Sequence, residues 1–138
     1  MISEQETFDT IVNGLRQQGC QSVRISEHGT TYCLYRGDNG AKCAAGILLP
    51  DEEYISSMEG FDAARYMTCA SALGTKTYCN RKGHIPTLQA VGKILYALGH
   101  NIQLVSTLQL IHDSYWGQRE ELWEAVAKEW DLVYTPVA

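Results

Sequence analysis

The stretch that most limits what this chain can fold into covers residues 34–54, Leu34-Tyr-Arg-Gly-Asp-Asn-Gly-Ala-Lys-Cys-Ala-Ala-Gly-Ile-Leu-Leu-Pro-Asp-Glu-Glu-Tyr54. Residues 30–36 (TTYCLYR) lead into it and are rich in β-branched and aromatic side chains, as a half-buried strand requires. Asn39-Gly40 suits positive φ at both central residues of a type I′ turn. The chain is therefore expected to reverse there, joining a strand over 32–36 to Lys42. Cys43-Ala-Ala-Gly-Ile-Leu-Leu49 is short and apolar, and periodicity alone does not separate a buried strand from a short helix. Small residues that allow close packing, and Pro50 as a stop, favour helix. Asp51, Glu52 and Glu53 would open a further helical turn, where the dipole favours acids.

Around this stretch the apolar spacing is mostly helical. Ser3-Glu-Gln-Glu6 is a capping box, followed by Phe8, Ile11, Val12 and Leu15 on one face and by Gly19 as a stop. The alternation in residues 20–25 predicts a strand, with a turn over 27–29. Helices are predicted over 61–73, over 86–98 after Pro86, over 102–113 with Asn101 as N-cap, and over 118–130. Trp123 and Trp130 belong to the core stripe of the last of these. The reading is a single domain over 1–138, mostly helical α+β, with four to five helices packed on a small antiparallel sheet of two to three strands.

Composition restricts function more than it reveals it. Hydrophobic residues at 45% and charged residues at 20% match an ordinary globular domain. No apolar run reaches membrane-spanning length and the N-terminal residues lack a signal-peptide pattern, so a cytoplasmic protein is expected. A net charge of −5 opposes non-specific binding to nucleic acid. The five cysteines, at 20, 33, 43, 69 and 79, contain no C-x-x-C pair. Reduced thiols follow, and no metal site is predicted, although Cys20, His28, Cys33 and Cys79 are the residues a zinc site would draw on. No P-loop, dinucleotide fingerprint, H-E-x-x-H or G-x-S-x-G occurs, and no cofactor is expected.

Tyr35-Arg-Gly, Gly40-Ala-Lys-Cys-Ala-Ala-Gly, Leu49-Pro-Asp-Glu-Glu-Tyr54 and Leu108-Gln-Leu-Ile-His-Asp113 together resemble a pattern in small bacterial and bacteriophage proteins that have no settled activity. The resemblance transfers no catalytic role. It implies a cytosolic setting, with a phage or another mobile element as the source. The segment from Met67 to His84 departs from the shorter members of that group.

Two functional readings result. The first is a non-enzymatic binding protein, an accessory factor that inhibits a host (defence) protein or sequesters a small anionic ligand. Its expected surface combines Tyr35, Arg36 and Lys42 with Tyr78, Arg81 and Lys82, where cations concentrate beside aromatic rings. The same 75–83 loop also reads as exposed chain whose charges serve solubility. The second is a cysteine-dependent hydrolase or transferase with Cys43 as nucleophile and His112 as base. Cys43, beside Lys42 at a helix start, has the setting of an activated thiol, but a free cysteine is also a common small core residue. His112 lies on or beside an apolar helix face, as satisfied core histidines do. Asp113, adjacent in sequence, is expected to point elsewhere on the helix and need not orient it.

Overall fold

The computed structural model describes residues 2–25, 31–55 and 90–137. Helix α1 spans Glu4–Gln18 and is followed by β1 (Val23–Ile25) and β2 (Thr31–Cys33). A tight turn over Asp38–Gly40 leads to α2 (Ala44–Leu48), and a second turn follows at Asp51–Glu53. The later helices are α3 (Ala90–Ala97), α4 (Ile102–Ser114) and α5 (Arg119–Glu129). The helix expected over 61–73, and the loop carrying Tyr78, Arg81 and Lys82, lie outside the described residues.

Helix α1 begins where its capping box places it. The Glu6 N–H donates to Ser3 Oγ at 3.0 Å, satisfying one of the donors a helix start leaves open. Gly19, at φ 75°, ends the helix with its N–H on Leu15 O. The face formed by Phe8, Ile11, Val12 and Leu15 is buried, and α1 packs on α2 and α4. Helix α4 is the central element, also touching α2, α3 and α5. Its buried side includes Leu104, Val105, Leu108 and Ile111, and Asn101 caps its start by accepting the Leu104 N–H at 3.2 Å. Trp123, fully buried, seats α5.

Two polar contacts tie the ends of the chain to α1. Arg16 forks onto Glu120 of α5, Nε to Oε2 at 2.9 Å and Nη2 to Oε1 at 2.6 Å. After α5, Asp131 takes φ 57° and the tail turns back along α1. There the Gln5 carboxamide accepts the Val133 N–H at 2.8 Å and donates to Val133 O at 3.1 Å.

The expected α+β architecture is corrected. The described residues are mostly helical, and among them helices pack on helices, not on a sheet. Among the described residues, Val23–Ile25 and Thr31–Cys33 pair with each other alone, in the register Val23↔Cys33, as an antiparallel ribbon of three residues per strand. Such a ribbon offers no face on which a layer of helices could rest. The described core cluster draws on the five helices and on Tyr35, Cys43 and Leu49 in the connections. Leu34, Tyr35 and Arg36, expected in strand, lie outside it, with Leu34 buried and Tyr35 part of the helical core cluster. Among the described residues, no helix is long and apolar enough to cross a membrane.

The reversal at Asn39-Gly40 is present, with φ of 57° and 78°, but Lys42 does not return as a strand. The Gly37 N–H instead closes the loop on Ala41 O at 2.7 Å, and the chain enters α2 directly. A Cβ at Gly40 would meet nothing within 4 Å, so Gly40→Val is disfavoured by its backbone angle alone. The expected loss is roughly 1 kcal/mol or more. At Gly46 the reason is space, because a Cβ would sit 2.3 Å from Tyr35 O. Gly46→Ala should lower stability further, by about 1–3 kcal/mol. Thermal unfolding followed by circular dichroism checks both, and a wild-type Tm for either variant contradicts the corresponding reason.

Candidate functional site

The residues after α1 meet α4 through a buried polar chain. The Ser22 N–H donates to His112 Nε2 at 3.0 Å, and His112 Nδ1 lies 2.8 Å from Asp113 Oδ1. Because Nε2 accepts, the ring proton sits on Nδ1 and donates to Asp113. Asp113 Oδ1 also accepts from Gln109 Nε2 at 2.6 Å, and Gln109 Oε1 accepts the Ala45 N–H of α2 at 2.8 Å. The His112 and Asp113 side chains are buried at 0% and 1% exposure, so this geometry is closed to solvent. The expectation that Asp113 points away from His112 is thereby corrected. In the last turn of α4 its carboxyl folds back over both His112 and Gln109.

Cys43 is also buried at 0% exposure. It is the N-cap of α2, its Sγ accepting the Gly46 N–H at 3.4 Å. The two residues named as nucleophile and base are therefore each engaged in holding the fold. Each would have to give up a hydrogen bond before it could act on a substrate.

Tyr35, Arg36 and Lys42 are brought close together, but not as a free cationic surface. Tyr35 is core, at 1% exposure. Arg36 reaches across α2: Nη1 donates to Gly46 O at 2.6 Å and to Tyr35 O at 3.2 Å. Its Nη2 donates to Leu49 O at 2.8 Å and to Asp51 Oδ1 at 2.9 Å. Its guanidinium also lies over the Tyr54 ring, 5.0 Å from the centroid. Lys42 Nζ approaches the same Asp51 oxygen at 3.7 Å. Asp51 thus takes up both cations.

Two open clefts flank α1 among the described residues. One, of about 750 Å³, lies between the C-terminal half of α1 and the Asp38–Gly40 turn, with exposed Cys20 on its wall. The other, of about 760 Å³, is bounded by Glu4 and the α3–α4 corner. At that corner the buried His100 ring places Nδ1 2.8 Å from Thr7 Oγ1, and burial lowers its pKa from the ordinary 6.5. The free thiols described are Cys20 and Cys43, and no group of histidine, cysteine and acidic side chains among the described residues could hold a metal. The sequence reading missed Ser22, Gln109 and Gln18 as organising residues. Gln109 alone carried a signal, a polar residue set between Leu108 and Ile111 on a buried helix.

Comparison with family models, curated proteins and solved structures gives no match to this chain.

Arg36→Ala should lower stability by roughly 2–4 kcal/mol, since it leaves buried carbonyls of α2 unpaired. Arg36→Lys should recover only part of this, because an ammonium cannot span the same oxygens. Denaturant titration decides, and an unchanged midpoint for Arg36→Ala would return the guanidinium to the ligand-binding role. Stability should also follow pH in two windows. With the folded His100 pKa below 6.5, the unfolded chain takes up the proton more readily, so stability is level above about pH 6.5 and falls below it. Glu120, whose pKa the Arg16 fork lowers from 4.5, contributes stability above that value and loses it only at more acidic pH. His100→Gln should flatten the Tm between about pH 7 and about pH 5 while leaving the acid loss in place. Parallel Tm profiles for the two proteins contradict the assignment.

Proposed function

We propose that this chain is a non-catalytic binding protein. The observation that carries the reading is the engagement of Cys43 and His112. The thiol caps α2, and both imidazole nitrogens are held by hydrogen bonds inside the core. In the phage or mobile-element setting that the sequence resemblance implies, the partner is a host protein and the outcome is its inhibition, a defence protein being the first candidate. A protein partner is favoured over a small anion because Arg36 and Lys42 already share Asp51. The cysteine-dependent hydrolase is the competing reading.

The test expresses the tagged chain in a bacterial host and analyses it by size exclusion with light scattering. A stoichiometric complex with one host protein is expected, formed equally by wild type and by Cys43→Ser, which keeps a cap at the start of α2. Iodoacetamide with peptide mapping should label Cys20 in the native protein and reach Cys43 only on unfolding. Rapid native labelling of Cys43, together with a hydrolytic activity that Cys43→Ser abolishes at unchanged Tm, overturns the proposal.

A further inference from the structure

The cleft between α1 and the Asp38–Gly40 turn is walled more by carboxamides than by charges. Two carboxamides on α1, Gln18 in this cleft and Gln5 at the tail, act in one shared way. Gln18 Oε1 accepts the Lys42 N–H at 2.8 Å while its Nε2 donates to Lys42 O at 2.9 Å. Gln5 does the same at Val133, at 2.8 and 3.1 Å. Each side chain thus pairs with both backbone polar groups of one non-helical residue, as a neighbouring strand does.

Gln17 and Asn39 line the same cleft, are exposed, and make no side-chain hydrogen bond to any described residue. Gln21 gives its N–H to His112 O at 2.6 Å and keeps its oxygen available as an acceptor. Asp38 and Lys42 bring opposite charges to the rim, so the cleft selects no single sign. The net charge of −5 opposes a nucleic-acid backbone. Ile47 and Val23 add apolar lining that alternate side chains of an extended chain can use.

From this we infer that the cleft binds an extended segment of a partner protein, held by carboxamide-to-backbone pairing at Gln17 and Asn39. The inference rests on the binding role proposed above and names the partner feature that is recognised. Neutral hydrogen bonds of this kind give modest affinity per contact and little dependence on salt.

The probe is a displayed library of random dodecapeptides selected on the full-length immobilised protein, with the retained peptides then synthesised and measured by fluorescence anisotropy. Gln17→Ala and Asn39→Ala should each weaken binding about tenfold at unchanged Tm, whereas Glu124→Ala on α5 should not. N-methylation of one central peptide amide should give a similar loss, because it removes the backbone donor. Retention of no peptide, or wild-type affinity in both cleft variants, overturns the inference. The host complex read by light scattering is a separate result. Its persistence in Gln17→Ala and Asn39→Ala would overturn the cleft assignment alone, while its absence from the wild type would overturn the binding role itself.

Discussion

The hydrogen bond from the Ser22 N–H to His112 Nε2 is the contact on which the rest of this structure depends. Burying a polar side chain is unfavourable unless its partners are supplied, and here they link α4 to two other parts of the chain. Ser22 brings the segment after α1, Asp113 the last turn of α4, and Gln109, through the Ala45 N–H, the first turn of α2. Apolar packing alone would tolerate sliding of α1 and α2 along α4. This buried polar chain, in which Asp113 Oδ2 alone finds no hydrogen-bond partner among the described residues, favours one arrangement, since a shift would break its bonds. Ser22 extends the control through its hydroxyl, which donates to Leu34 O at 2.7 Å and so sets the entry to the 34–54 segment.

A second layer of control lies on α1. Its apolar face supplies the core, while Gln5, Arg16 and Gln18 on its other faces hold distant backbone or side-chain groups. The described residues are thereby closed around one helix, with a two-stranded ribbon as their sheet. The carboxamide surface near Gln17 and Asn39 continues the same chemistry outward. A small domain can in this way present backbone-reading groups on a rigid helix and a rigid turn.

The helices were legible because their signals are local. Ser3 and Gly19 bound α1, Asn101 starts α4, and Trp123 marks the buried side of α5, each acting within a few residues of its own position. The sheet was over-read because β-branched and aromatic residues at 30–36 look alike whether they pair in strands or fill a helical core. Tyr35 and Arg36 show the difficulty. Their cation-beside-aromatic pattern suggested a surface, yet tertiary contacts bury the ring and turn the guanidinium onto Gly46 O and Leu49 O. The two end links of the buried chain, Ser22 to His112 and Gln109 to Ala45, join residues far apart in sequence, and spacing carries no trace of such pairings. His112 was recognised as lying on an apolar face, but its proton partner was not, because helical geometry in the interior separates adjacent residues whereas a terminal turn lets Asp113 fold back.

The central claim is that His112 holds the fold together and is not poised for chemistry. Long-range proton–nitrogen correlation on selectively labelled protein near neutral pH reads its tautomer directly. The account predicts one slowly exchanging species, protonated at Nδ1 and bare at Nε2, with the Ser22 amide strongly protected from hydrogen exchange. A proton on Nε2, or nitrogen signals averaged as in a freely exchanging histidine, would contradict it.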